Sequence, residues 1–411
     1  MATSVAATSP PANVTPVAGT ESSILGTYKR APMELVRGEG VWLYDAEGRR
    51  YLDFVSGIAT NALGYGDAGL VHALHAAADG LVHVSNLYKT SAGEALASKL
   101  VQLAQPWASK AFFCNSGAEA NEAAFKFARR WARAQHAPGE GESAKHEIVA
   151  LRGAFHGRTM GVLAATDRAQ YRMPFRPLAG GITILERDLE ELSAALDAET
   201  AAAVIVEPVQ GEGGVRVIDH GFLRELRALT RERHCLLILD EIQCGLGRTG
   251  TFYAHEQAGI EPDMVTLAKP LAGGLPMGSV VMTGEVAAAI KPGDHGTTFG
   301  GGPFVASVAN YVVERLSDPA MLAHVRELGA WFGAQLEELV LNTGGRIRQV
   351  RGVGLMWGID VSGTAAHVVS EAAEQGLLLC TAGEYTVRIL PPLVVTKEEL
   401  TLGLRILEDI L

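Results

Sequence analysis

Short apolar runs alternate with longer amphipathic ones along most of this chain. Ala111 to Cys114, Glu147 to Leu151, Ala201 to Val209, Leu236 to Leu239 and Met264 to Ala268 have the length and character of buried strands. Between them lie patterns of helical period, including AEANEAAFKFARRWARA from Ala118 and the run from Phe222 to His234. Strands alternating with helices predict an α/β fold with a mostly parallel sheet covered on both faces. Ser279 to Thr283 reads as an antiparallel or edge addition. Earlier, in GVWLYDAEGRRYLDF, two aromatic-apolar runs flank Ala46-Glu47-Gly48 and predict a hairpin. After Pro303 an apolar and then amphipathic helical region leads to a smaller unit with two strand-like stretches, VRGVGLMWGIDV and VRILPPLVV. The organisation expected is a disordered tail over 1–22 and an N-terminal segment over 23–65 that packs with the small domain. A large domain over 66–322 and a C-terminal small domain over 323–411 complete it.

Composition narrows the function classes. The chain has 411 residues, 48% hydrophobic and 20% charged, which fits two ordinary globular domains with extensions. A formal net charge of −11 argues against a nucleic-acid partner. Cys114, Cys235, Cys244 and Cys380 form no CxxC spacing, so neither a zinc knuckle nor a disulfide framework is expected, and a reduced cytoplasmic setting fits. No apolar stretch has membrane-spanning length. The first residues, rich in Ala, Thr, Ser and Pro, lack the parts of a signal peptide, with an organelle address as the alternative to a plain tail. His255-Glu256 lacks the second histidine of a zinc motif, and no metal site is expected. Gly245-Leu246-Gly247 and Gly300-Gly301-Gly302 match neither phosphate-loop pattern.

The candidate chemistry lies at strand ends. The run from Leu236 to Leu239 leads into Asp240, and the next strand leads into Lys269, then Pro270 and a Gly-Gly pair. In open α/β sheets, ligands sit beyond the carboxyl ends of strands. A lysine amine there condenses with an aldehyde, and a carboxylate keeps a pyridine nitrogen protonated. Together they form the minimal equipment for pyridoxal phosphate, whereas singly such residues cap helices or face solvent. Asn115-Ser116-Gly117-Ala118 precedes a strong helix and offers either a phosphate-binding N-terminus or an ordinary cap. Phe155 to Thr159 places an aromatic for stacking and Arg158 for a carboxylate; a core Phe and a surface Arg is the equal alternative, and His156 reads as structural. In Glu207 to Gly214 two acids stand near one strand end. They are an acid/base couple, or a gate in which Glu212 neutralises an arginine; taken alone, the residues favour a turn with solvated acids.

In order along the chain, NSGAEANEAAFKFAR, FHGRTMG, EPVQGEGG, LILDEIQCGLGRTG, TLAKPLAGGLPMG, HGTTFGG and VRILPPLVV resemble the class III (ornithine-type) aminotransferases, from about Tyr28 onward. The resemblance implies a fold type I transferase dependent on pyridoxal phosphate: a large domain with a mostly parallel sheet under helices, and a smaller α+β domain formed by the chain ends. It implies Lys269 as the Schiff-base lysine and Asp240 as partner of the pyridinium nitrogen. Glu241, Ile242 and Gln243 follow on the cofactor, Gln243 at the phenolic oxygen and Ile242 opposite Phe155 across the ring. Ser116, Gly117 and Ala118 are implied to hold the phosphate, joined by Thr298 of a second subunit, so a homodimer is expected. Arg158, helped by Tyr28 and, across the interface, by Thr297, is implied to bind a substrate carboxylate, and Arg388, masked by Glu212, the α-carboxylate of glutamate. The implied reaction passes an ω-amino group from a small-molecule donor to 2-oxoglutarate. YLDFVSGIATNALG, SNLY and FHGRTMG lean towards acetylornithine as donor, with succinylornithine, ornithine, 4-aminobutyrate and carrier-linked aminoadipate semialdehyde as alternatives. Two departures stand out: Gly302 where Asn is usual, expected to loosen the loop carrying Thr298, and Gly64-Tyr65-Gly66-Asp67-Ala68 for a histidine pattern, expected near the substrate mouth.

Overall fold

The computed structural model describes residues 23–136, 145–197 and 200–411; the tail expected over 1–22 lies outside them. The N-terminal hairpin forms as expected and gains a strand on each side. Strands β1 (Leu35–Glu39), β2 (Trp42–Asp45) and β3 (Arg50–Asp53) run antiparallel.

Seven strands build the main sheet or its inserts next in the chain: β4 (Lys110–Cys114), β5 (Glu147–Leu151), β6 (Ile182–Leu185), β7 (Ala201–Val206), the short pair β8 (Val209–Gln210) and β9 (Arg216–Val217), and β10 (Leu236–Asp240). They are followed by β11 (Met264–Leu267) and β12 (Gly278–Met282). The main sheet has the order β4-β12-β11-β10-β7-β5-β6. Strand β12 is antiparallel, as read from the sequence, but it sits between β4 and β11 rather than at an edge. Every residue of β7 and β10 is buried, the continuous apolar character of strands covered on both faces. The pleat divides them: Val204, Val206, Leu237 and Leu239 join one core, while Ala203, Ile205, Leu236 and Ile238 join a second. The second core is closed by the helix Gly117–Ala134, whose small residues Ala120, Ala123, Ala124 and Ala128 recur at helical spacing and let it lie close on the sheet.

A third sheet, β13-β14-β17-β16, combines β13 (Ile347–Val353), β14 (Met356–Val361), β16 (Cys380–Thr381) and β17 (Thr386–Ile389). Strand β15 (Leu377–Leu378) instead crosses to β3 and pairs in parallel, Leu377 beside Leu52, so the two ends of the chain share a sheet. The division expected between residues 322 and 323 falls inside a continuous helix, Pro319–Asn342. Among the described residues no helix is long and apolar enough to cross a membrane.

Candidate active site

The carboxyl ends of β4, β5, β7, β10 and β11 open on the same side, and each delivers one of the motifs read from the sequence. They line a cavity of about 400 Å³, within the range of cofactor and small-molecule sites. Strand β10 ends on Asp240, and in register beside it β11 places Thr266, three residues before Lys269. Lys269 turns out of its strand with φ 39°, a left-handed conformation that persists where surroundings enforce it. Burial lowers its ammonium pKa, and the nearby Arg388 lowers it further, against the opposing pull of Asp240.

Asp240 is 3% exposed. Its Oδ2 accepts from Asn121 Nδ2 at 2.7 Å and lies 2.8 Å from His156 Nδ1, and its Oδ1 accepts from the Ile242 amide at 3.1 Å. Asn121 also donates to the His156 carbonyl, 2.8 Å away, fixing one partner of Asp240 to the other. Glu207, at the end of β7, is not solvated as the bare turn suggested. It is buried, accepts from the amides of Phe155 at 2.9 Å and Gly211 at 3.3 Å, and its pKa is pushed up to about 7, by burial first and then by Asp240 against the pull of His156.

Ser116 caps the helix Gly117–Ala134 by accepting from Glu119 N at 3.2 Å, leaving the first amides of the helix aimed at the cavity. Gly117 is required by close approach: a Cβ there would lie 2.8 Å from Ile242 Cδ1. Phe155 and Ile242 both line the cavity, with Gln243, Ala118 and Arg158. The Arg158 guanidinium lies 3.2 Å from the centre of the Tyr171 ring, and no described carboxylate pairs with it.

Arg388 of β17 is in the opposite state. It is 2% exposed, its Nη1 meets Glu212 Oε1 at 2.6 Å, and Nη1 donates to Gln243 Oε1 at 3.0 Å. Glu212, Arg388 and Gln243 therefore form a chain from the small sheet to the cavity wall.

Four expected residues are elsewhere in the single chain. Glu241 turns away from the cavity because consecutive residues leaving a strand face opposite sides. Its carboxylate accepts from the amides of Ala254 at 2.6 Å and His255 at 2.9 Å and meets His255 Nδ1 at 2.7 Å. Tyr28 is 80% exposed, and Thr298 lines a separate cleft with His83, Asn86 and His295. Thr297 shares that cleft, though its Oγ1 accepts from Asn115 Nδ2 at 3.1 Å. Asn86 Nδ2 donates to the carbonyls of Thr297 at 3.0 Å and Gly300 at 3.1 Å, and the Gly302 amide donates to the Phe299 carbonyl at 3.1 Å just before Pro303 opens the next helix. Tyr65 donates to Asp53 at 2.6 Å and Asp67 caps the next helix, so this segment lies outside the cavity lining.

A profile described as Aminotransferase class-III matches residues 26–411. The chain belongs to this family. A relative from Alnus glutinosa, a mitochondrial acetylornithine aminotransferase, is 47% identical over 388 residues, 93% of this chain and 84% of that protein. Among solved structures, the N-acetylornithine aminotransferase of Stenotrophomonas maltophilia aligns with TM-score 0.80 and 37% identity over 93% of this chain and 96% of that one. The ornithine aminotransferase of Toxoplasma gondii, whose active site has partial occupancy of pyridoxal phosphate, aligns with TM-score 0.89 and 29% identity over 94% and 91%.

The class-III enzymes depend on pyridoxal phosphate, and this cavity fits the group. A helix N-terminus would suit its phosphate, the cradle at Gly117 admits no Cβ, and the buried Asp240 carboxylate and buried Lys269 amine that its ring and aldehyde would need line the same cavity. Sequence reasoning missed Asn121 and undervalued His156 and Glu207. Asn121 did carry a signal, a polar residue on the apolar stripe Ala120-Ala123-Ala124 that is fully buried.

Proposed function

We propose that this class-III aminotransferase is an acetylornithine aminotransferase, moving the ω-amino group of N2-acetyl-L-ornithine to 2-oxoglutarate and yielding N-acetyl-L-glutamate 5-semialdehyde and L-glutamate. The observation that carries the reading is the pair of neighbouring strand ends that bring Asp240 and Lys269 into one cavity between an unpaired and a paired arginine. The names of the curated relatives support the choice of donor.

Bound pyridoxal phosphate supplies an aldehyde that condenses with amines and a ring that accepts an electron pair from the substrate's reacting carbon. Lys269 would be the group that condenses with it and that moves the proton at that carbon, and burial, which lowers its ammonium pKa, favours the free amine this role needs. Asp240 would hold the ring nitrogen protonated, and Asn121 and His156 hold Asp240. Ser116, Gly117 and Ala118 would take the phosphate, and Phe155 and Ile242 would cover the two faces of the ring. Gln243 takes the phenolic oxygen. Arg158 stands open for the distal carboxylate of either substrate. Arg388 is needed only when the reacting carbon itself bears a carboxylate, as in glutamate, and Glu212 neutralises it otherwise.

The reading includes a homodimer in which Thr298 and Thr297 complete the neighbouring site, while Tyr28 helps Arg158. It is supported by the position of Thr298 in a separate cleft and by the exposed Phe299 next to it in sequence. The compartment proposed is the cytoplasm, on the strength of four unpaired thiols. The test is a half-reaction screen: the yellow holoenzyme is mixed with acetylornithine, succinylornithine, ornithine and 4-aminobutyrate, and loss of its visible absorbance is followed. Acetylornithine is expected to give the highest rate per concentration; a higher value for another donor overturns the assignment.

A further inference from the structure

The turn that carries Glu212 is gripped along its backbone. Three successive carbonyls each accept from an arginine: that of Glu212 from Arg168, that of Gly213 from Arg216 Nε at 3.1 Å, and that of Gly214 from Arg351 Nε at 2.5 Å. Arg351 belongs to β13, and the small sheet holds it firmly. Its Nη1 and Nη2 fork onto Asp360 of β14 at 2.7 Å each, and Nη2 donates to Thr386 Oγ1 of β17 at 3.0 Å.

The strand register puts this grip in line with the mask. Arg351 stands opposite Gly358, and Gly358 stands opposite Arg388. Val215, the next residue of the turn, settles over Gly358: a Cβ built there would be 3.0 Å from Val215 Cβ. The missing side chain at Gly358 leaves the seat for the turn between two arginines of one row. Arg351 takes its backbone, and Arg388 takes the Glu212 carboxylate at 2.6 Å.

We propose that Arg351, fixed by Asp360, is a positioning residue that docks the Gly211–Val215 turn on this sheet and so sets how strongly Glu212 masks Arg388. It thereby sets the preference between amines whose reacting carbon bears a carboxylate and ω-amines whose reacting carbon bears none. The inference rests on the masking role of Glu212 proposed above. Its physical basis is pre-organisation. A turn already anchored presents Glu212 at little entropic cost, whereas a free turn must be ordered each time the ion pair forms. The weaker mask then yields more readily to a substrate carboxylate.

The experiment measures single-turnover rates of the holoenzyme with L-glutamate and with N2-acetyl-L-ornithine in Arg351→Met, Gly358→Ala, Glu212→Ala and the Arg351→Met/Glu212→Ala pair. Arg351→Met and Gly358→Ala should each raise the glutamate-to-acetylornithine rate ratio, by about ten-fold, the size of one charge-assisted hydrogen bond. On the Glu212→Ala background, Arg351→Met should change the ratio no further. Gly358→Ala leaves the Arg351 side chain in place and crowds the seat instead, its new Cβ starting 3.0 Å from Val215 Cβ and 3.1 Å from Thr386 Cγ2, so a loss of folding in Arg351→Met does not leave the question open. A merely structural role lowers both half-reactions by one factor and leaves the ratio unchanged in both variants, which overturns the proposal. If Glu212→Ala shifts the ratio and neither other variant does, the docking role alone fails. If Glu212→Ala shifts nothing, the mask fails and this inference falls with it.

Discussion

Asp240→Asn keeps the shape of the side chain and removes its charge. The native carboxylate is 3% exposed and faces three hydrogen-bonding groups, Asn121 Nδ2 at 2.7 Å, His156 Nδ1 at 2.8 Å and the Ile242 amide at 3.1 Å. An ionised carboxylate accepts at both oxygens, but an amide accepts at one end and donates at the other. With its oxygen towards Asn121 and His156, its NH2 opposes the Ile242 amide; reversed, it opposes the other two. Each buried donor left unpaired costs about 1–3 kcal/mol. His156 can relieve part of this by shifting its proton to Nε2, which has no partner among the described residues. Turnover should suffer more, because on the proposed pairing the fixed charge opposite the ring nitrogen is lost. Loss of one preorganised electrostatic group costs about 2.7–4 kcal/mol of barrier, or roughly 10²–10³ in kcat. The assay is single-turnover kinetics of both half-reactions on cofactor-saturated variant, with a thermal melt to separate folding from chemistry. Both half-reactions should fall by a similar factor, since both use the same ring. Near-parental turnover with an unchanged melt refutes the pairing of Asp240 with a pyridine nitrogen.

Gly117→Ala should push Ile242 out of place, its new Cβ starting 2.8 Å from Cδ1, and weaken cofactor retention more than apo-protein stability; equilibrium dialysis against melts reads the difference. Glu207 has a folded pKa near 7, raised above the ordinary carboxyl value, so its contribution to stability is full below the unfolded pKa and lost as pH rises through 7. Glu207→Gln should therefore flatten the fall in melting temperature between acid and mildly alkaline pH, and an unaltered slope counts against its burial. Tyr171→Leu removes the ring 3.2 Å from the Arg158 guanidinium and should raise KM for both carboxylate substrates two- to five-fold with kcat kept, about the 0.5–1 kcal/mol of an exposed cation–π contact, whereas Tyr171→Phe should behave as the parent.

Much of the site was legible because local chemistry and strand period agree there. Leu236–Leu239 and Met264–Ala268 are apolar runs too short for helices, and each ends on the residue that faces the cavity. The cap at Ser116 was equally visible, since the helix after it carries its small residues on one face. What escaped depends on tertiary placement. Glu207 reads as a turn acid and Glu241 as a neighbour of Asp240. Only packing shows the first buried beside His156 and the second directed at His255. Strand β6 was missed because its residues are only partly buried, at the sheet edge. The seat at Gly358 rests on pairing between strands distant in sequence, which no local pattern reports.

The central claim is that Lys269 carries the cofactor in this cavity, and peptide mapping tests it most directly. Borohydride treatment of the holoenzyme should fix the cofactor irreversibly to the peptide spanning Thr266 to Pro270, while Lys269→Ala should still bind cofactor at the Gly117 cradle and take up no covalent label. Label on any other lysine, or unimpaired turnover in Lys269→Ala, contradicts the account.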